Sequence, residues 1–280
     1  METDNRLMVK NLQKLNVFYA VYSKATNLPY AKCDRQTYDD QAYIFTYEAD
    51  ASEFADGLNA DNYPCLVKKI EKKDFAAYYS SLFLTGINGI IFHNGTGEAP
   101  LPLEEVVTFH RPEQKKNAPP VSNESLQMTA VYFLQEVRRP NMDAHDPGRN
   151  LTLQGLEQEL VANLRRSRFI IGFDVTDSKA DAQSGGKVPR DAKIPYLKTK
   201  NGDMMEPIFS DMWEFQKFVK GNKSKYKLVA LPFDKLIPTP FKEAKGFVLN
   251  PAGFNLSLSK EKVEKMIEAG KFTYTVDIKE

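Results

Sequence analysis

Three histidines and two cysteines are the side chains best suited to metal binding or nucleophilic catalysis in this sequence, and their spacing supports neither. His93, His110 and His145 stand far apart. None has a second His or Cys two, three or four positions away, the separation at which one helix turn or strand brings two ligands to one ion. His93 closes the apolar run Gly89-Ile90-Ile91-Phe92 and reads as a sheet-end histidine. Cys65, between Pro64 and Leu66-Val67, reads as a core cysteine. No Gly-x-Ser-x-Gly elbow occurs, and no histidine follows residue 150 to serve a second-half nucleophile as its base. Ser184-Gly185-Gly186-Lys187 lacks the first glycine of a phosphate loop and the strand that should precede it. Pro189 also opposes a helix directly after it. Carboxylates are abundant, but nothing in the spacing assigns an acid/base pair. The sequence therefore predicts no catalytic residue, no metal site and no cofactor.

Bulk properties narrow the classes further. Lys and Arg total 38 against 37 Asp and Glu, a net charge of +1, so no global field favours nucleic acid or an anionic membrane. Lys220 to Lys227 reads as solvated surface. Hydrophobic residues at 42% and charged residues at 27% are those of a globular chain, and 18 Phe with 13 Tyr supply bulk for two cores. No run approaches the ~18 apolar residues of a membrane helix, and the charged opening Met1 to Leu15 lacks the apolar stretch of a signal peptide. Free Cys33 and Cys65 thiols in a cytoplasmic protein are the expectation, and Asn-x-Ser/Thr triplets are read as chance occurrences.

The elements that must carry any site fall into two similar series. In the first half, Leu7, Met8, Leu12 and Leu15 mark a helix, Val17 to Tyr22 a strand, Pro29 to Ala31 an extended segment, and Tyr43 to Tyr47 a third strand. Asp50 and Glu53 suggest a capping box opening a helix to Leu58. Cys65 to Val67 is a strand, Asp74 a cap for a helix bearing Phe75, Tyr78, Tyr79 and Leu82, Gly89 to His93 a strand, and Leu103 to Phe109 a closing helix. The second half begins with a helix carrying Leu153, Leu156, Leu160, Val161 and Leu164 on one face. Phe169 to Phe173 follows, and Ile194-Pro195-Tyr196-Leu197 echoes Leu28-Pro29-Tyr30-Ala31. Pro207-Ile208-Phe209 echoes Ile44-Phe45, Trp213-Glu214-Phe215 echoes Ser52-Glu53-Phe54, and Leu228-Val229 echoes Leu66-Val67. Lone Trp213 is expected in or near the core. The fold class predicted is α/β (α+β), as two tandem repeats of one unit, each a small mixed β-sheet with flanking helices. The units are placed at residues 1–110 and 151–280. A linker with one helix, capped near Ser122 or Asn123, spans 111–150. Thr176 to Lys193 reads as an exposed loop.

Two corners close the repeats. Gly246-Phe247-Val248-Leu249-Asn250-Pro251-Ala252-Gly253 ends a buried strand in a turn. Asn250 is expected to bond the backbone two residues on, Pro251 presets φ, and Gly253 closes a type I turn. Asn94-Gly95-Thr96-Gly97 keeps the same frame. Asn250, Pro251, Gly253, Asn94 and Gly97 are the candidate ligand-binding residues, with a purely structural turn the simpler reading. Ser210 before Asp211-Met212-Trp213-Glu214 is expected as a helix N-cap.

The second series resembles the N-terminal domain of the SseB (enhanced serine sensitivity) family. Ile194 to Leu197, Pro207 to Asp211 with Trp213 to Phe215, and above all Gly246 to Leu256 carry the likeness. It covers roughly residues 165 to 265, and residues 15 to 108 more faintly. The resemblance implies no established catalytic residues. A non-enzymatic binding or regulatory module is the function expected, with a protein partner, at sheet edges or a groove between the units. The alternatives are a small-molecule sensor, with amino acids as ligands, or an enzyme with an inter-unit pocket.

Overall fold

The computed structural model describes residues 2–109, 121–178, 188–222, 225–237 and 242–269, without the side chains of residues 2–4. His110, most of the linker's polar stretch and Ser184 to Lys187 lie outside the described residues. The described chain is α+β and divides into two compact units, one within residues 1–119 and 124–160, the other within 120–123 and 161–280.

In the first unit the strands are β1 (Val17–Ser23), β2 (Ala31–Cys33), β3 (Asp40–Phe45), β4 (Cys65–Glu71), β5 (Gly89–His93) and β6 (Glu98–Pro102). They form one sheet in the order β4-β1-β3-β5-β6, with β2 also on β3. Only β3 and β5 run parallel. The helices are α1 (Glu2–Lys14), α2 (Glu48–Ala60), α3 (Phe75–Thr85), α4 (Leu103–Val106) and α5 (Glu124–Val137). β1 reads as a near-continuous apolar run because both its faces are covered. Val21 joins Phe45 and Cys65 beneath Ala51 and Ala55 of α2, whereas Phe18 meets Phe75 and Tyr78 at the start of α3, centroids 4.5 and 5.1 Å apart.

Helix α5, expected within the linker, belongs to this unit. Gln135 supplies what a neighbouring strand would: its Oε1 accepts from Ala31 N at 3.2 Å and its Nε2 donates to Ala31 O at 2.9 Å. Three local expectations are corrected. No side chain caps α2, whose N-cap is Tyr47, so Asp50 and Glu53 sit inside the helix. Asp74 precedes α3 without a side-chain bond. The closing helix stops at Val106, and β6 precedes it, Pro100 and Pro102 being tolerated on a sheet edge.

The second unit takes in the end of α6 (Pro147–Arg166), then β7 (Arg168–Asp174), β8 (Leu197–Lys198), β9 (Met204–Ile208), α7 (Met212–Val219), β10 (Tyr226–Pro232), β11 (Gly246–Leu249), β12 (Leu256–Ser259) and α8 (Lys260–Ala269). β10 pairs antiparallel with β7. β9 takes β8 antiparallel and β11 parallel, and β12 closes the far side antiparallel to β11. β7 reaches β9 through one bridge, Ile170 to Phe209, with N–O distances of 2.9 and 3.0 Å. Phe209, Phe215, Ile170 and Val219 form a core beneath α7, and Trp213 is half-buried. No helix among the described residues is long and apolar enough to cross a membrane.

Candidate functional site

Each unit has one parallel strand pair, and ligands of open α/β sheets gather beyond the carboxyl ends of such strands. The candidate corners stand at those ends. β3 and β5 finish in register at Phe45 and His93, and β9 and β11 at Ile208 and Leu249. The same frame is used in opposite ways.

In the first unit Asn94 spends its side-chain oxygen on its own turn, while its Nδ2 donates to Met8 Sδ at 3.1 Å. Its Oδ1 accepts from Thr96 N, Thr96 Oγ1 and Gly97 N, each at 2.9 Å, and its N donates to Gly97 O at 3.0 Å. The bond to the backbone two residues on, expected at Asn250, is therefore found at Asn94. Gly95 has φ of 91°, and a Cβ there would run into the Tyr47 ring, so only glycine fits. Folded on itself, the turn leaves an open cleft of about 550 Å³ against the first turns of α2. Phe45, Phe54 and His93 give it aromatic walls, His93 stacking on Phe45 at 4.3 Å and 11°. Asp50, Glu53 and Glu98 give it three carboxylates. No Lys or Arg among the described residues pairs with any of the three; the one ion-pair contact is His93 Nδ1 to Glu98 Oε2 at 3.3 Å. Burial pushes the His93 pKa below its ordinary 6.5, against the pull of Glu98 and Asp50. The ring is therefore neutral at neutral pH, and the cleft keeps its negative charge.

In the second unit Asn250 is fully buried and bonds across the corner. Its Oδ1 accepts from Ser210 N at 2.9 Å and its Nδ2 donates to Ser210 Oγ at 2.8 Å. The backbone turn expected is present, Gly253 N reaching Asn250 O at 2.9 Å, but the side chain serves Ser210 forty residues away in sequence. Ser210 is not the cap of α7. Asp211 is, its Oδ1 accepting from Trp213 N at 2.7 Å and Glu214 N at 2.9 Å. Ser210 Oγ instead donates to Asp211 Oδ2 at 2.8 Å. Glu214, which echoes Glu53 in sequence, lies 2% exposed in the corner. A Cβ on Gly253 would stand 2.6 Å from its Oε2, so glycine is required for Glu214 to fill the space. Pro251, next to Asn250, is half-buried.

Burial raises the Glu214 pKa above its ordinary 4.5, Lys217 at 2.5 Å partly offsetting it. Its contribution to stability is thus complete below about pH 4.5 and declines as pH rises through the raised value. Glu214→Gln is expected to gain stability relative to the parent between about pH 4 and pH 8, read from urea midpoints; a pH-independent difference would contradict this placement.

Elsewhere the reactive groups are committed to structure. Burial pushes the Cys65 thiol up to about 12. Burial and then Asp40, Asp34 and Asp39 raise that of Cys33, opposite to what a nucleophile needs. The two thiols are unbonded to each other. No group of three or more His, Cys, Asp or Glu among the described residues could hold a metal ion. The sequence pointed to Asn94 and Gly97 but not to Asp50, Glu53, Phe45, Phe54 and Glu98 beside them. The Glu53-Phe54 and Glu214-Phe215 echo was the available signal.

No family model and no curated protein matches the chain. Among solved structures, Tic22 from Plasmodium falciparum is 13% identical over 94% of this chain and 97% of its own, with a TM-score of 0.21. Anabaena Tic22, described as a protein of protein transport, is 11% identical over 96% and 98%, also at 0.21. Scores this low specify neither fold nor function.

Proposed function

We propose that this chain is a cytoplasmic, non-enzymatic binding module of two tandem copies of one SseB-like unit. Its first-unit corner receives a basic side chain of a partner protein. The tandem reading is supported by like strand pairings in chain order: first with fourth antiparallel, second with third antiparallel, third with fifth parallel, fifth with sixth antiparallel. The observation that carries the binding reading is the contrast between Glu53 and Glu214. One acid position, on matching helices, is exposed to an open cleft in one copy and sealed in the other. Two more carboxylates and an aromatic wall around Glu53 suit a guanidinium or ammonium group, by charge and by cation–π contact. Bulk neutrality gives nucleic acid no part in this proposal.

The test is fluorescence-anisotropy titration with a short arginine-bearing peptide and its citrulline counterpart. The arginine peptide should bind more tightly, Glu53→Gln and Glu98→Gln should each weaken it by about tenfold, and Glu214→Gln should leave it unchanged. Equal binding of the citrulline peptide, or indifference to both cleft variants, would contradict the proposal. A pH series supplies a second check. Protonating His93, whose pKa burial holds below its ordinary 6.5, adds positive charge to the cleft, so affinity should fall as pH drops below 6.5, and His93→Phe should lessen that fall. A parent and variant with identical profiles would count against the site. Thermal stabilisation by free arginine, with no peptide preference, would favour the small-ligand sensor instead.

A further inference from the structure

Gln41, near the start of β3, is only 7% exposed, yet among the described residues its side-chain amide has no hydrogen-bond partner. The other buried glutamines of the first unit are committed: Gln127 Nε2 donates to Leu84 O at 2.7 Å, and Gln135 bonds both N and O of Ala31. A buried amide without a bond lowers stability, and such a group calls for an explanation. Gln41 is not walled in. It lines an open cleft of about 510 Å³ where β3 and β5 begin, at the opposite end of both strands from His93.

Gly89 makes the room. It stands beside Gln41 in the β3–β5 register, and a Cβ there would lie 3.1 Å from Gln41 Cγ and 3.8 Å from Asp39 Cβ. Both side chains therefore flank one bare point on β5. Asp39 is fixed in place: Asn88 Nδ2 donates to its Oδ1 at 2.9 Å, and Asn88 Oδ1 accepts from Asp40 N at 2.8 Å. The turn between β2 and β3 brings Asp34 opposite Asp39, Asp34 N donating to Asp39 O at 2.8 Å. Asp34 Oδ1 accepts from Thr37 N at 3.0 Å and Gln36 N at 2.7 Å, bonds that hold its carboxyl below the ordinary 3.8. Asp34, Asp39 and Glu104 all line the cleft, and no Lys, Arg or His stands among its described lining residues.

A free carboxamide offers a donor and an acceptor side by side, the complement of a peptide group. Gln135 displays that pairing on Ala31. The carboxylates next to Gln41 call for a cation. A bare metal ion is the poorer fit, since no group of three or more His, Cys, Asp or Glu among the described residues could hold one. We infer that this cleft binds the free N-terminus of a peptide, Gln41 pairing with the first peptide group and Asp39 holding the α-ammonium. One Cα separates those two groups in an N-terminal residue, which suits two side chains flanking a single point on β5. Asp34 adds charge at the mouth, and Phe83, Pro100 and Pro102 supply an apolar wall. The site is distinct from the cleft at His93 and requires no arginine.

Titration of the full-length chain with trialanine amide at about pH 7, where an α-ammonium is charged, tests the site. Backbone amide shifts should move saturably at Gln41 and Gly89 and stay still at Gly95 and Gly97. The N-acetylated peptide, which keeps the peptide groups without the charge, should bind at least about tenfold more weakly. Propylamine, which keeps the charge without a peptide group, should also bind about tenfold more weakly, and so should the parent peptide to Gln41→Leu or Asp39→Asn. Gln41→Leu should at the same time raise the urea midpoint, because it removes a buried amide that has no bond to lose. A lowered midpoint would mean that the amide is structural and would overturn the inference. Equal binding of the acetylated peptide, indifference to Gln41→Leu, shifts confined to Gly95 and Gly97, or no binding would overturn it too.

Discussion

Glu136→Ala should lower the unfolding free energy by about 3–5 kcal/mol, the cost of leaving buried cations without their counter-charge. Glu136, on α5, faces two guanidiniums, that of Arg139 just beyond the helix and that of Arg149 at the start of α6. Arg139 Nη1 lies 3.0 Å from its Oε1 and Arg149 Nε 3.5 Å from the same oxygen, with side chains 10%, 16% and 12% exposed. Tyr63 Oη donates to Oε2 at 3.0 Å, and the Arg139 guanidinium lies 4.1 Å over the Tyr63 ring while Nη2 donates to Asp61 O at 2.9 Å. Removing the acid strands two guanidiniums held there by other bonds, so they cannot simply turn to solvent. Urea unfolding of parent and variant measures the loss. A difference below about 1 kcal/mol, the level of a surface pair, would mean that α5 is not fixed to the first unit as described.

Asn250→Ala should cost about 2–4 kcal/mol, and Asn94→Ala no more than about 1 kcal/mol. Three effects act together at Asn250. The buried Ser210 N–H loses its acceptor, Ser210 Oγ loses its donor, and alanine must hold a φ of 51° that asparagine tolerates far better. Asn94 gives up exposed bonds to its own turn that water can replace, and one weak, part-buried bond to Met8 Sδ. Equal losses at the two positions would erase the distinction between a structural corner and an open one. Asn250→Asp should be worse than alanine at neutral pH, because it sets a carboxylate next to the Ser210–Asp211 pair, 2.8 Å apart.

How far the sequence disclosed this arrangement depended on whether a neighbour in the chain or a neighbour in space decided it. Continuous apolar runs gave β1, β5, β7 and β11 because strands covered on both faces leave no polar alternation to misread. β6 went unseen because Pro100 and Pro102 punctuate it, and their meaning changes once the strand is known to be an edge. Asp50 and Glu53 have the spacing of a capping box, yet the helix opens earlier, at Glu48 with Tyr47 as N-cap, so both acids sit inside its first turns. The corners themselves were found, but not their difference. Glu53 and Glu214 are the same residue beside the same phenylalanine. Which of them is sealed turns on whether the facing asparagine bonds its own turn or a serine forty residues away, a choice between partners that spacing along the chain does not encode.

Backbone amide shifts during titration with the arginine peptide follow both corners at once. Gly95, Gly97 and Glu98 should move in a saturable way, while Ser210, Asn250 and Gly253 stay still. Motion confined to the second corner, or none at either, would contradict the proposal that the first-unit cleft takes a cation, whereas in the second-unit corner Glu214 lies buried.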